Sequence, residues 1–344
     1  MSHAAAALNV EVVETYLARH LPGFTGPISY EKTPIGQSNP TFILTTPSGD
    51  YVLRRKPPGE LLKSAHAVDR EYRVMTALQE SDVPVPKTFH LCEDDSVIGT
   101  AFFVMERVVG RNFLDPRVPE MNNSARKLLY DDMNRVLAAL HSVNVEAVGL
   151  ADFGRPGNYF ERQISRWTKQ YRLSETEPIK AMDRLIEWLE GNIPEDDGLS
   201  GLVHGDYRID NLLVHPDLPR VVAVLDWELS TLGHPLADLG YQCMQWRMPV
   251  GEDGRGLEGV DRAAHGIPIE QAYVESYAER RGWTELPDMT FCIAFSFFRM
   301  AAIVQGVMKR GIDGNASNPE KAMRMGRFVP VYVKRAIALL DEAG

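Results

Sequence analysis

The densest polar run in the chain, His204-Gly205-Asp206-Tyr207-Arg208-Ile209-Asp210-Asn211, lies between the apolar pairs Leu202-Val203 and Leu212-Leu213. One Asp or Asn in a turn satisfies its own backbone and needs no further reason. Here a second acid must be explained with it, because Asp226 ends the apolar run 221–225. If 211–214 and 221–225 pair across the turn-forming segment His215-Pro216-Asp217-Leu218-Pro219, both polar ends reach one edge and Asn211 faces Asp226. Asp206, Asn211 and Asp226 are then three oxygen donors for a hard cation, with a carboxylate to spare. That set suits Mg²⁺ shared between protein and substrate phosphates, the arrangement that phosphoryl transfer requires.

A protein-kinase catalytic loop reads H-R-D-x-x-x-x-N: the Asp takes the acceptor hydroxyl's proton, and the Asn and a later Asp hold metal. Asp206 and Asn211 keep that spacing, with His-Gly-Asp replacing His-Arg-Asp and Leu225-Asp226-Trp227-Glu228 replacing Asp-Phe-Gly. With these replacements the chain resembles the aminoglycoside phosphotransferase and choline kinase-like family. The segments 36–42, 51–59, 69–73 and 227–240 are further similar to the kinase-like domain that precedes acyl-CoA dehydrogenase modules in some animal proteins.

The resemblance implies an α+β, two-lobed protein kinase-like fold. Residues 1–105 would be a nucleotide-binding lobe, a small antiparallel sheet with one helix, and residues 106–344 a larger, mainly helical catalytic and acceptor-binding lobe. ATP and Mg²⁺ would be the cofactors, and the γ-phosphoryl group would pass to a hydroxyl of a small molecule. Asp206 would be the catalytic base, orienting the hydroxyl more than deprotonating it, since a loose phosphoryl transition state asks mainly for position and charge. Asn211 and Asp226 would hold the metal. Asp238 would accept backbone N–H bonds from the His-Gly-Asp loop, and His204 is read as a buried imidazole holding that loop. Asp210 and Glu228 are read as solvated or backbone-bonding, while Arg208 is equally a partner of the site's carboxylates or acceptor and a surface residue.

The same template asks for a strand cation on the α/β-phosphates, paired with a helix carboxylate. Glu71 fits the carboxylate. Arg54, Arg55 and Lys56 are consecutive, so strand alternation puts Arg54 and Lys56 on one face and Arg55 on the other. Arg54 is the chosen cation; many family members have Lys there, and the forked guanidinium is bulkier. In place of a glycine-rich loop the chain offers Gly36-Gln37-Ser38-Asn39, whose backbone with the Ser38 and Asn39 side chains would touch the triphosphate. By analogy, backbone groups of Glu106 and Val108 would bond adenine.

The elements that must position these residues follow from pattern. Residues 41–45 and 51–54 are β-rich runs joined by Pro47-Ser48-Gly49-Asp50, a hairpin, and 101–105 is a third strand. Val68, Tyr72, Met75 and Leu78 recur at helical spacing between them, over 66–79. Beyond Asn112 the texture turns helical: Leu129, Met133, Val136, Leu137 and Leu140 line one face. A strong β signal returns once, at the 211–225 hairpin, and 251–266 is the most loop-like stretch. Residues 291–308 are apolar enough to suggest a membrane span, yet Arg299 near their middle favours a buried helix.

With 344 residues, 44% hydrophobic and 24% charged, the chain has room for two cored lobes. Its net charge of -10 argues against a nucleic-acid binder. Cys92, Cys243 and Cys292 are scattered and form no metal or disulfide pattern; a reducing, cytoplasmic setting fits, with no signal peptide and no membrane partner. Residues 1–105 carry 9 Lys and Arg against 12 Asp and Glu, so the remainder shows no acidic concentration of the kind a polycationic aminoglycoside would favour. The resemblance points instead to a hydroxyacyl compound or hydroxyacyl-CoA as acceptor. Two rival readings are a nucleotide-binding pseudokinase or scaffold, and a metal-dependent hydrolase using His204, Asp206, Asp226, His234 and Asp238. The oligomeric state is not legible in the sequence.

Overall fold

A computed structural model describes residues 8–33, 39–57, 67–155, 157–251, 255–316 and 318–343. Its elements in chain order begin with α1 (Val10–His20), β1 (Ser29–Lys32), β2 (Thr41–Thr46), β3 (Gly49–Arg55), α2 (Val68–Leu78), β4 (Thr88–Cys92) and β5 (Phe102–Glu106). There follow α3 (Asn123–His141), α4 (Tyr159–Ser174), α5 (Lys180–Gly191), β6 (Gly201–Val203), β7 (Leu212–Val214), β8 (Val221–Val224), β9 (Thr231–Gly233) and α6 (Leu236–Trp246). The chain closes with α7 (Arg262–His265), α8 (Glu270–Arg280), α9 (Thr290–Ile312), α10 (Pro319–Gly326) and α11 (Val329–Ala343). Contacts group these into two compact units. The first holds Met1–Arg111, Leu212–Pro216 and Val221–Ser230, and the second the rest.

In the first unit, β1 to β5 form an antiparallel sheet in the order β1-β2-β3-β5-β4. Alternation assigns its two faces. Phe42, Leu44, Leu53, Phe102 and Val104 point to one side, where Val13 and Leu17 of α1 complete a buried apolar cluster. Arg55 lies on that side, its guanidinium 5.3 Å from the Phe42 ring centre. Arg54 and its cross-strand partner Phe103 take the opposite face, where Tyr72 of α2 meets Phe103 edge-on at 6.0 Å. Helix α2 buries Val68, Glu71, Val74, Met75 and Leu78. Glu71 thus occupies a core position on an apolar face, and Asp69 is a second acid in the same helix. The expected start of that helix, His66, lies outside the described residues.

Hairpin β7–β8 pairs Leu212 with Val224 and Leu213 with Ala223. The sequence reading set it inside the helical lobe; it groups with the first unit. The reason is hydrogen bonding: Val224 donates to the Pro84 carbonyl at 2.8 Å, and Arg111 and Val214 exchange backbone bonds at 2.7 and 2.9 Å. Asn211 is not part of the strand but ends a 3-10 turn, Ile209–Asn211.

The second unit is helical around α3 and α9. Leu129, Tyr130, Met133, Val136, Leu137 and Leu140 of α3 are buried. Helix α9 is long and apolar enough to cross a membrane, yet 72% of its most apolar window is buried inside the protein. Arg299 is buried there too, 6.0 Å from the Trp167 ring centre. Strands β6 and β9 pair Gly201 with Gly233 and Val203 with Thr231. Three residues each are too few for a periodic signal, so the sequence reading missed them. Within the loop-like stretch, α7 forms a turn capped by the Asp261 side chain.

Candidate active site

Each unit carries one group of chemically capable side chains. In the first, Arg54 is the centre. Its Nε lies 2.9 Å from Glu71 Oε2, and its Nη2 donates to Asp226 Oδ1 at 2.8 Å. Burial opposes its charge, but Glu71, Asp226 and Glu228 outweigh that and push the guanidinium pKa up. Burial raises the Glu71 carboxyl to about 7, with Asp226 and Glu228 adding to the rise, while Arg54 and the Asn39 amide pull it down. The carboxylate therefore bears the cost of burial in this pair, and the arginine keeps its charge.

Asn39 is fully buried, and its Nδ2 donates to Glu71 Oε1 at 2.7 Å. The sequence reading put this amide on a triphosphate; in the structure it steadies the helix carboxylate. Ser38 lies outside the described residues. Lys56 reaches Asp69 at 3.5 Å with both side chains substantially exposed, so Arg54 and Lys56 share the α2 side while Arg54 is the one that meets the buried Glu71 and the half-buried Asp226. Asp226 adopts a left-handed backbone, φ 65°. This strained conformation is held by the buried Trp227, whose indole N–H donates to the Val224 carbonyl at 3.0 Å. Glu106 is exposed, and its N–H donates to the Lys87 carbonyl at 2.8 Å. Of its backbone groups, the carbonyl is the one suited to an adenine. Val108 is half-buried.

In the second unit the chain leaves β6 through His204 and Gly205, whose φ of 82° suits glycine. Both residues are tied down by Asp238 of α6: its Oδ2 accepts the His204 N–H at 2.6 Å, and its Oδ1 the Gly205 N–H at 2.8 Å. Asp238 also meets His141 Nε2 at 3.3 Å, and His141 Nδ1 meets the Tyr277 hydroxyl at 2.6 Å. Burial pushes His141 down and so favours its neutral form. Burial alone would push Asp238 up, but its bonds to His141 and His204 win and hold it below the usual carboxylate range. His204 is fully buried, and its Nδ1 accepts the Asp206 N–H at 3.2 Å.

This loop presents Asp206. Asn211 Nδ2 donates to both the backbone carbonyl and Oδ2 of Asp206, each at 2.8 Å. That orientation assigns the amide oxygen of Asn211 as an acceptor. The Tyr241 hydroxyl donates to Asp206 Oδ1 at 2.5 Å, and burial, with Asp206 beside it, pushes the phenol pKa far up so that the proton stays. Arg208 Nε lies 3.2 Å from Asp206 Oδ1 and 3.1 Å from Asp210 Oδ1. Burial opposes its charge, yet Asp206, Tyr241 and Asp210 raise its pKa.

Asp210 is not solvated as one reading of the sequence had it: its side chain is 8% exposed and, beside a backbone hydrogen bond, pairs with Arg208 and with Arg255 Nη1, the latter at 2.5 Å. Burial nevertheless moves its pKa upward. Tyr241, His141 and Arg255 were missed altogether. Only Tyr241 left a trace in the sequence, three residues after Asp238 and so on the same helix face.

Asp226 in the first unit offers a carboxylate and Asn211 in the second an amide oxygen, each by itself a donor type that a hard divalent cation such as Mg²⁺ takes. The hydrolase ligand set is not assembled. Asp238 is committed to backbone N–H groups, His234 Nε2 pairs with Asp197 at 3.2 Å, and among the described residues no three His, Cys, Asp or Glu side chains gather as metal ligands.

The chain is similar to known phosphotransferases. The family described as "Phosphotransferase enzyme family" matches residues 29–283. Mouse acyl-CoA dehydrogenase family member 10 is 45% identical over 314 residues, 91% of this chain but 29% of that protein, so the chain spans under a third of that relative. A candidate aminoglycoside phosphotransferase from Ralstonia eutropha is 51% identical, with a TM-score of 0.88 over 97% of this chain and 98% of the other. A spectinomycin phosphotransferase solved with ADP and spectinomycin has the same fold at 13% identity, with a TM-score of 0.64 over 96% of this chain and 98% of the other. The α+β, kinase-like fold is thereby established.

Proposed function

The chain belongs to the phosphotransferase enzyme family, and from that premise we propose that it moves the γ-phosphoryl group of ATP, with Mg²⁺, to a hydroxyl of a hydroxyacyl compound or hydroxyacyl-CoA. The observation that carries the reading is the constraint on Asp206. Oδ1 takes the Tyr241 hydroxyl and Oδ2 the Asn211 amide, while Asp238 anchors the loop from beneath. A carboxylate so fixed can accept a hydrogen bond from an acceptor hydroxyl and aim its oxygen, the contribution that phosphoryl transfer asks of a protein group. Arg54, kept cationic and oriented by Glu71, would meet the nucleotide's phosphates. Asn211 and Asp226 would supply oxygens to Mg²⁺, which when bound neutralises charge developing on the transferring group.

The acceptor class draws support from the relatives named as acyl-CoA dehydrogenase family members, which match over nine-tenths of this chain. The even distribution of charge along the sequence argues against a polycationic sugar. The test is incubation of the purified protein with Mg·ATP and, separately, hydroxyacyl-CoAs, hydroxy acids, sugars and aminoglycosides, following ADP release and product mass. A phosphorylated hydroxyacyl product that disappears in Asp206→Asn is the expected result. Product on aminoglycosides alone would overturn the acceptor class, and nucleotide binding without any product would leave a pseudokinase.

A further inference from the structure

Away from the catalytic loop, the second unit contains a cavity of about 510 Å³, a size that holds a small organic ligand. It lies at the Gly201–Gly233 end of the β6–β9 pair, whereas the loop bearing Asp206 leaves from the Val203 end. Asp206, Arg208, Asn211 and Tyr241 do not line it.

Its walls combine aromatic faces with negative charge. Trp188 at the end of α5 and Phe291 at the start of α9 face one another at 6.2 Å and 33°. Phe160 of α4 stands edge-on to Phe291 at 5.1 Å and 87°. Around them the lining, among the described residues, carries Glu161, Glu195, Asp196, Asp197 and Asp288 against one arginine, Arg155, with Arg162 close enough to act on Asp196. His234 completes the wall, its ring 5.2 Å from Phe160. Because its Nδ1 accepts the Leu236 N–H, its Nε2 carries the proton that faces Asp197.

We propose that this cavity is a second binding site, for a small organic cation carrying a quaternary or tertiary ammonium on an apolar body. The partly exposed Trp188 ring, backed by the buried Phe160 and Phe291, offers an electron-rich surface that attracts a weakly hydrated cation. The five carboxylates concentrate positive ligands at the mouth. An anionic ligand such as a CoA ester would meet repulsion there, so this site does not serve the acceptor class proposed above. A neutral apolar ligand would gain the aromatic contacts but not the charge term.

Benzyltrimethylammonium is the probe, with 3-phenylpropan-1-ol as the uncharged control, and binding to the full chain is read by calorimetry and by saturation-transfer NMR. The cation should bind about tenfold tighter than the alcohol. Trp188→Ala and Asp197→Asn, at partly exposed and exposed positions that leave the core intact, should each weaken it by about five- to tenfold. Asp206→Asn should leave its affinity unchanged. Equal affinity for the two probes, no saturable binding, or indifference to both cavity substitutions would overturn the proposal. Loss of binding in Asp206→Asn would also overturn it, by moving the cation to the catalytic loop. None of these outcomes depends on finding the phosphoryl acceptor.

Discussion

Asp206 and Arg54 are each held by several polar partners, and the partners differ in kind. Asp206 is bonded by a phenol and an amide and paired with a guanidinium, so its carboxylate is held in one orientation. Asp206→Asn should therefore preserve nucleotide affinity while lowering turnover by about 10²–10⁴-fold, the usual contribution of a positioned acid or base. Nucleotide titration beside steady-state rates checks this, and a matching loss of affinity would count against the assignment. Arg54 lies between two acids, whereas Lys56 makes only a longer, exposed pair with Asp69. Arg54→Ala should weaken ATP binding well beyond Lys56→Ala in the same titration. A reversed ranking would transfer the phosphate contact to Lys56.

At the scale of the element, helix α6 organises the catalytic loop from two positions one turn apart. Asp238 takes the His204 and Gly205 N–H groups, and Tyr241 takes Asp206. Removing the Asp238 carboxylate leaves two buried donors and His141 without their acceptor, so Asp238→Ala should cost about 2–4 kcal/mol in urea unfolding at neutral pH. The pH dependence has a definite sign. The folded pKa of Asp238 lies below the ordinary value, so its contribution is present above the unfolded-state pKa and is lost as pH falls through the folded one. The stability gap between wild type and Asp238→Ala should therefore shrink in acid, and a gap that stays constant down to the acid limit of folding would refute the role. Helix α2 works in a comparable way on the first unit, with Glu71 placed among Val68, Val74, Met75 and Leu78 so that Arg54 is drawn to the helix.

At the scale of the whole molecule, Asp206 and its amide partner Asn211 belong to one unit, and Asp226 with Arg54 to the other. Ligand binding to the native state stabilises it by mass action, about 2.7 kcal/mol at a hundredfold excess over Kd. Mg·ATP should accordingly raise the thermal midpoint by about 2–4 °C, and Asp226→Ala should abolish the part that depends on Mg²⁺. An unchanged Mg²⁺ dependence in that variant would remove Asp226 from the metal site. By itself the sequence determined the strand–turn–strand runs, the apolar face of α3 and the linear spacing from Asp206 to Asn211, because these are local properties: period, turn chemistry and motif are written in neighbouring residues, and the kinase-like fold followed from the family resemblance that those motifs carry. The faces of Arg54 and Arg55 were likewise legible, since strand alternation is a local rule. Tertiary structure alone decided that Asn39 serves Glu71, that Asp210 is an interior ion-pair partner, that Tyr241 and His141 support the catalytic loop, and that hairpin β7–β8 groups with the first unit. The partners in the side-chain contacts among these stand 32 to 97 residues apart, and a polar side chain's role depends on the solvent it loses and the partner it meets, neither of which is encoded in its sequence neighbours.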